Sequence, residues 1–390
     1  MNLSSARANE ASGGPSRGGA FVFIVESPLC SRRQPYRRPR CEQANAVTDF
    51  RPAGPPRGRL VRLGVVLDTR NAPNRLREVA RMCDGAGIEA LWIRDHLAAP
   101  DGEPRLEAWT ALTMVGMAAS RPRVGALLNV AFRPPATLAA MAGTLDAAIG
   151  GRLELGLFAG WIERESLAFG FDFPDPDVRS RRLERYATIL RGLLAGQALS
   201  VGGSEDAAPA ELGVASPQPG GPSLSVEAIS PQQMDVAVSV ADDVLIPAAA
   251  VQDVQEAVRQ VRQACERGER DPMTLGIALE LPVSIGRTLA EAQARAEAES
   301  LFESTGPPSE VGVFGTLEQC QGRVIELAHA GITDLRCVLP NSPDVHDVIA
   351  QLTAVVIGSV DVLAPGTPKS KSPDPPPTWG GRSRGGGEVS

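Results

Sequence analysis

The chain has 390 residues and a net charge of −7, and 43% of its residues are hydrophobic, which is enough for a sizeable core. The first 57 residues contain nine arginines and four acids, so the rest of the chain has a more negative net charge than the whole. This negative charge argues against a nucleic-acid-binding protein. No apolar run approaches the ~20 residues that span a bilayer, and the six cysteines form no C-x-x-C pair. We therefore expect a cytoplasmic protein with reduced thiols, no membrane partner and no metal site.

Composition divides the chain into three segments. Residues 1–57 are rich in Arg, Pro, Gly and Ser, and residues 365–390 are rich in Pro, Gly and Ser. Neither segment has enough apolar surface to offset the entropy of ordering the chain, so we expect both to be disordered extensions. Residues 58–364 are then the folded domain.

The first part of this domain alternates between strand and helix patterns. The predicted order is strand 59–68, helix 73–86, strand 88–93, helix 106–120, strand 123–130, helix 134–149 and a strand from Leu153 to Leu157. Gly150 and Gly151 predict a tight turn before this last strand, because glycine readily adopts positive φ. Such regular alternation predicts a parallel sheet with crossover helices.

The second part continues the same alternation after a Gly/Pro/Ser-rich loop. The predicted order is helix 178–195, strand 224–228, helix 231–240, strand 243–246, helix 251–267, strand 273–285, helix 289–302, helix 316–330, strand 334–339 and helix 343–357. Eight strands in about 300 residues predict an α/β fold of the (β/α)8 TIM-barrel class. A doubly wound open sheet is the alternative, but no G-x-G-x-x-G follows any strand.

In such a barrel the active site lies at the C-terminal ends of the strands. The candidates selected by this rule are Asp68, Asp95, His96, Asn129, Gly160, Trp161, Glu227 and Asn341. An Asp-His pair leaving a strand suits a proton donor or acceptor oriented by a carboxylate, and it equally suits a pair that caps a loop. The Asn129 amide could bond a polar ring edge or the local backbone.

Other nucleophile and metal patterns are weak. No His/Cys/Asp/Glu group has metal-ligand spacing, and no G-x-S-x-G is present. Cys83 falls on the apolar face of its predicted helix, so we expect a core residue and not a nucleophile.

The motifs together resemble the luciferase-like monooxygenase superfamily, which includes bacterial luciferase, FMN-dependent alkane monooxygenases and deazaflavin-dependent oxidoreductases. The resemblance runs from about Leu60 to Val356. It is most specific in RPPATLAAMAGTLDAAIGGRLELGLFAGWIERESLAFGFDFP and RSRRLERYATILRGLL, and it includes the stretch WIRDH that ends at His96.

The resemblance implies an oxidoreductase or monooxygenase with a small-molecule substrate and a flavin or deazaflavin ring lying across the strand ends. The expected cofactor is the deazaflavin coenzyme F-420, with FMN as the alternative, and His96 handles a proton beside Asp95. Asn129-Val130 matches a position where many members have a non-prolyl cis peptide, which would persist only in a retained cofactor pocket. Members are often homodimers.

Cofactor contacts are implied for the ends of strands one, three and four. The matching residues are Asp68, Asn129, Val130, Ala159, Gly160 and Trp161. The last three correspond to a loop near the cofactor's tail phosphate.

Several positions depart from the family pattern. Many members have an Asn after the Gly-Trp, where this chain has Ile162. Many also have a Gly-Gly after strand five that cradles phosphate, where this chain has the segment around Glu227. Asp243 stands where members have a Gly. A carboxylate at Glu227 would repel phosphate. The alternative is therefore a degenerate, non-catalytic barrel that has lost its cofactor and serves as a binding module.

Overall fold

The computed structural model of the protein describes residues 61–97, 104–201, 208–247, 251–298 and 306–363. The extensions predicted for residues 1–57 and 365–390 lie outside the described residues. The strands are β1 Arg62–Val66, β2 Ala90–Arg94, β3 Arg123–Asn129, β4 Leu153–Phe158, β5 Ser223–Glu227, β6 Asp243–Ile246, β7 Gly276–Ile285, β8 Val313–Gly315 and β9 Asp334–Val338.

Helices connect these strands in nearly strict alternation. They are α1 Pro73–Ala86, α2 Ala108–Ala118, α3 Pro135–Ala148, α4 Glu163–Ala168, α5 Pro176–Leu194, α6 Pro231–Val240, α7 Val251–Arg267, α8 Leu289–Ala298, α9 Pro308–Val311, α10 Leu317–Ala330 and α11 Val345–Leu363. Among the described helices, none is long and apolar enough to cross a membrane.

Eight parallel strands close into a barrel, which confirms the predicted (β/α)8 class. Strands β1 to β6 pair in chain order, β6 pairs with β7, and β9 lies between β7 and β1. Where the barrel closes, Asp334 of β9 lies opposite Arg62 of β1 on one side and opposite Ala278 of β7 on the other. The open-sheet alternative is therefore wrong. Strand β8 lies outside the barrel, where it pairs with the far end of β7.

The core lies mainly between the barrel and its helices. Helix α1 buries Leu76, Val79, Ala80 and Cys83, as its i, i+3, i+4, i+7 pattern predicts. Burial raises the pKa of the Cys83 thiol to about 12, which suits a core residue and not a nucleophile. The described cysteines are free and buried.

Three short elements, α4, α9 and β8, were absent from the sequence prediction, and several boundaries differ by a few residues. Helix α4 has six residues and β8 has three, both too short to show a periodic pattern. The seventh strand begins at Gly276 because Pro272–Thr274 forms a 3-10 turn. Gly150 and Gly151 have the positive φ values expected of their turn.

The interior of the barrel is charged in its N-terminal half. We call the group formed by Arg62, Arg123, Glu154, Asp243, Asp334 and Arg336 the lower network. Arg62 binds both Glu154 and Asp334 at 2.5 Å, and Arg336 binds Asp243 at 2.8 Å. The Arg336 guanidinium also lies over the Trp92 ring at 3.6 Å from its centroid. These pairs compensate the charges that the barrel buries.

Candidate active site

Asp95 lies directly after β2 and is fully buried. Its carboxylate accepts hydrogen bonds from the Arg133 guanidinium at 2.5 and 3.2 Å and from the Asn129 backbone N–H at 3.2 Å. Arg133 also contacts Glu107, the residue that caps α2. Burial raises the pKa of Asp95, although Arg133 opposes the shift. Because both oxygens are engaged, Asp95 joins the ends of β2 and β3.

His96 is the neighbouring group, and its partner is a different carboxylate from the one that the sequence suggests. Its side chain is almost buried, and Nδ1 lies 3.3 Å from Glu165 Oε2. The other Glu165 oxygen accepts the Leu97 backbone N–H at 2.6 Å. Within the described chain, no hydrogen bond engages His96 Nε2. Glu165 thus holds the imidazole by one nitrogen and leaves the other for a ligand.

Sequence reasoning missed Glu165 because it lies on the short helix α4, 69 residues from His96. The detectable signal is its position just after the Gly-Trp at the end of β4. Trp161 approaches His96 edge-on, with ring centroids 5.8 Å apart, and 48% of the Trp161 residue is exposed. His96, Glu165 and Trp161 therefore form one group at the C-terminal end of the barrel.

The ends of β3 and β4 meet through Asn129 and Gly160. Asn129 is buried, and its side-chain oxygen accepts the Ala131 N–H at 3.0 Å. Gly160 has φ +86°, and a Cβ there would lie 3.2 Å from the Asn129 amide. The side chains of Val130 and Ala159 pack in the core behind the strands, so only their backbone could reach a ligand. The described chain contains no cis peptide bond. The Asn129–Val130 bond is therefore trans, and the expectation of a cis bond at this position is wrong.

The floor of the site carries three charged side chains, Arg94, Glu227 and Glu280, which we call the charged floor. Arg94 donates to Glu280 at 2.5 Å and lies 3.7 Å from Glu227. About 30% of the Arg94 side chain is exposed, whereas both glutamates are almost buried. Burial raises the pKa of Glu227, with Arg94 opposing and Glu280 reinforcing the shift. Glu280 was not a sequence candidate, because it lies in the middle of the long strand β7.

Asp68 and Asn341 lie apart from this group, at the ends of β1 and β9. They share a shallow cleft whose lining includes Asn71, Arg75 and Ser342. Asp68 accepts hydrogen bonds from the Arg70 side chain and backbone at 2.7 and 2.8 Å. Among the described residues, no contact joins Asp68 to His96.

Asp243 is not part of the C-terminal end. It begins β6 and accepts hydrogen bonds from Ser225 at 2.6 Å and Arg336 at 2.8 Å within the lower network. Burial raises its pKa to about 6, although Arg336 opposes the shift. The expectation that Asp243 alters a phosphate site is therefore wrong, because the first residue of a strand lies at the opposite end of the barrel.

The donors at the end of β5 do not fit a phosphate. Ser230 caps α6 by accepting the Gln233 N–H at 3.3 Å, and the Gln233 side chain accepts the Ile229 N–H at 2.9 Å. These backbone donors are therefore engaged within the chain, and Glu227 adds a negative charge beside them. The polar and aromatic groups of His96 and Trp161 suit the edge of a flavin-type ring, but the end of β5 does not suit its tail phosphate.

Comparison with known proteins places this architecture in a family. The family described as luciferase-like monooxygenase matches residues 60–330. A 5,10-methylenetetrahydromethanopterin reductase from Methanolobus tindarius is 24% identical over 327 residues, which cover 73% of this chain and 96% of the relative.

Two solved structures have the same fold at lower sequence identity. The coenzyme F-420 dependent tetrahydromethanopterin reductase from Methanopyrus kandleri is similar with a TM-score of 0.65 and 18% identity, covering 77% of this chain and 99% of that one. The oxygenating constituent of 3,6-diketocamphane monooxygenase from Pseudomonas putida, in complex with FMN, gives 0.62 and 15%, covering 77% and 97%. This chain belongs to the luciferase-like monooxygenase family, whose members are oxidoreductases and monooxygenases.

Proposed function

We propose that the protein is a flavin- or deazaflavin-dependent oxidoreductase that acts on a small molecule at the C-terminal end of its barrel. The observation that carries the proposal is the His96–Glu165 pair, a buried imidazole held by a carboxylate beside the ends of β2 and β4. Perturbed or tightly held titratable groups in such a position are typical of active sites. The F-420 and FMN proteins among the structural neighbours support this class of cofactor.

The chain's own residues would position and move a proton. When Nδ1 of neutral His96 donates its hydrogen to Glu165, Nε2 carries the lone pair and can accept a proton from a substrate hydroxyl. In the reverse direction the protonated imidazole of His96 returns that proton. Asp95 acts through Arg133 and Asn129 by fixing the strand ends. The bound ring supplies hydride transfer or oxygen activation.

Coenzyme F-420 is the first choice of cofactor and FMN the second, because a methylenetetrahydromethanopterin reductase matches this chain over 96% of its own length and a structural neighbour is a coenzyme F-420 dependent tetrahydromethanopterin reductase. The charged floor favours the alternative of a degenerate barrel that binds a partner molecule without catalysis, because two carboxylates face one arginine there. A homodimer and a cytoplasmic location remain predictions of the sequence.

The deciding experiment is separate fluorescence titration of the full chain with coenzyme F-420 and with FMN. We expect micromolar binding of one of them, which also names the electron carrier. Binding of neither ring would favour the degenerate barrel.

A variant series then tests the proton-handling role in the substrate and cofactor pair that gives turnover. We expect His96→Ala to retain cofactor binding and to lower kcat by about 10²- to 10⁴-fold, the usual contribution of general acid–base catalysis. Glu165→Gln should lower kcat less. His346→Ala is the matched control, because His346 is exposed on α11. Unchanged kcat in His96→Ala would show that His96 handles no proton.

A further inference from the structure

Three buried polar atoms inside the barrel have no hydrogen-bond partner among the described residues. They are the indole Nε1 of Trp92, Oδ1 of Asp334 and Nη1 of Arg336. All three residues are buried, so bulk solvent does not reach these atoms. Folded proteins pair nearly all buried donors and acceptors, either with other protein groups or with ordered water. Three such atoms close together therefore indicate a binding site for a small polar molecule.

The three atoms lie along the seam between β1 and β9. The register of these strands pairs Arg62 with Asp334 and Gly64 with Arg336. A Cβ at Gly64 would lie 3.3 Å from Cδ1 of Trp92, the ring atom bonded to Nε1, so the N–H edge of the indole faces this seam. The Arg336 guanidinium lies over the same ring at 3.6 Å from its centroid, and its Nε donates to Asp334 Oδ2 at 3.4 Å. The indole, the guanidinium and the carboxylate are therefore neighbours.

Other contacts hold all three side chains in place. Nη2 of Arg336 donates to a carboxylate of the lower network at 2.8 Å. Oδ2 of Asp334 accepts from Arg62 at 2.5 Å. The Trp92 ring fills the space that Gly125 leaves, where a Cβ would lie 2.6 Å from the ring. Turning any of these side chains toward a new protein partner would break an existing contact, so the missing partner is a molecule that comes to them.

The balance of donors and acceptors identifies the chemistry of that molecule. Arg336 Nη1 and Trp92 Nε1 donate hydrogen bonds, and Asp334 Oδ1 accepts one. The molecule must therefore accept two hydrogen bonds and donate one. Water can do both, and a buried water typically makes about three hydrogen bonds. A metal cation would meet two N–H groups, and an anion would meet the Asp334 carboxylate, so neither matches the site.

We propose that Trp92, Asp334 and Arg336 bind an ordered water molecule inside the barrel, which accepts from Arg336 Nη1 and Trp92 Nε1 and donates to Asp334 Oδ1. This water completes the lower network. Arg336 also interacts electrostatically with Glu227 of the charged floor, so the water lies on the inner side of the proposed active site. Its three partners belong to the strands, and the inference therefore holds whether or not a cofactor binds.

A crystal structure of the full chain, at a resolution that shows ordered water, tests the site directly. We expect density for one water at about 2.7–3.2 Å from each of the three atoms. Crystals grown with bromide in place of chloride should show no anomalous signal there. The inference is wrong if the density is absent, if the three atoms bond protein groups, or if bromide occupies the site.

The indole N–H of Trp92 gives a second readout in solution. In protein labelled with ¹⁵N-tryptophan, magnetisation transfer from water to the indole proton detects a long-lived neighbouring water, and the rotating-frame experiment separates it by sign from proton exchange. We expect this signal at Trp92 and its loss in Trp92→Phe, which keeps an aromatic ring under Arg336. Trp161 is the matched control, because it is 48% exposed and should show only short-lived hydration. A Trp92 signal no different from that of Trp161 would contradict the inference.

Discussion

The two ends of the barrel interior are both charged, but they are charged differently. The lower network contains three arginines and three carboxylates, and each arginine bonds at least one of those carboxylates. The charged floor contains two carboxylates and one arginine, and Glu227 has no hydrogen bond to the described residues. Arg336 in the lower network is 1% exposed, whereas Arg94 in the charged floor is 30% exposed.

This difference indicates which charges stabilise the fold and which are available to a ligand. A buried ion must be compensated within the protein, because the cost of removing it from water is several kcal/mol. The lower network meets most of this requirement with its own residues, and among its atoms only Asp334 Oδ1 and Arg336 Nη1 are buried without a hydrogen bond in the described chain. The charged floor meets it only in part and opens toward the site, as expected where a bound molecule completes the set of partners.

The largest expected effect comes from removing one arginine from each end of the barrel interior. Arg336→Met should lower the free energy of unfolding by about 3–5 kcal/mol, because it leaves Asp243 without its arginine partner in a buried site. Arg94→Met should cost less, because about 30% of the Arg94 side chain is exposed and solvent can reach the glutamates that lose their partner. Denaturant unfolding of both variants measures the difference. Equal losses would show that the two ends bury their charges alike.

The fold could be predicted from the sequence because its signals are local. Helix α1 has its apolar face at regular spacing, Pro135 begins α3, and strands such as β3 are continuously apolar. Closure of the barrel followed from the number of such units. Elements shorter than about two turns or four strand residues, such as α4 and β8, contain too few residues to show a period.

The partners within the site could not be predicted in the same way. Position after a strand correctly placed His96, but its carboxylate partner Glu165 comes from a different element of the chain. Arg94 and Glu280 are 186 positions apart and meet only because the barrel closes. Asp243 could have been placed correctly, because the predicted strand 243–246 is the observed β6 and the first residue of a parallel strand lies at the N-terminal end of the barrel.

The second prediction uses pH to examine the lower network alone. Burial by itself would raise the pKa of Glu154, but Arg62 and Arg123 outweigh burial and lower it to about 2. A depressed carboxyl pKa contributes stability above the unfolded-state value near 4.5, and this contribution is lost as the pH falls toward 2. The loss should be about 3 kcal/mol in the wild-type protein.

Glu154→Gln has no such titration, so its free energy of unfolding should fall less between pH 5 and pH 2. Measuring urea unfolding across this range for both proteins gives the two slopes. Asp243 has a raised pKa and contributes with the opposite sign, but it is present in both proteins and cancels in the comparison. Parallel slopes would mean that Glu154 is not held ionised by the lower network.

The smallest expected effect concerns the backbone that shapes the C-terminal end. Gly160 and Gly87 have nearly the same positive φ, +86° and +80°, so alanine at either position should cost about 1 kcal/mol of backbone strain. Only at Gly160 does the new Cβ meet another residue, the Asn129 amide at 3.2 Å, whereas nothing lies within 4 Å at Gly87.

Gly160→Ala should therefore lose only a few tenths of a kcal/mol more stability than Gly87→Ala, because a small shift of Asn129 relieves the contact. Its larger consequence should be weaker binding of whichever ring the wild-type protein binds, since Asn129 and the end of β4 move together. Gly87→Ala, which lies after α1 and away from the strand ends, should bind the ring as the wild-type protein does. If both variants bound it equally well, the junction of Asn129 and Gly160 would be a packing feature and not part of the ligand site.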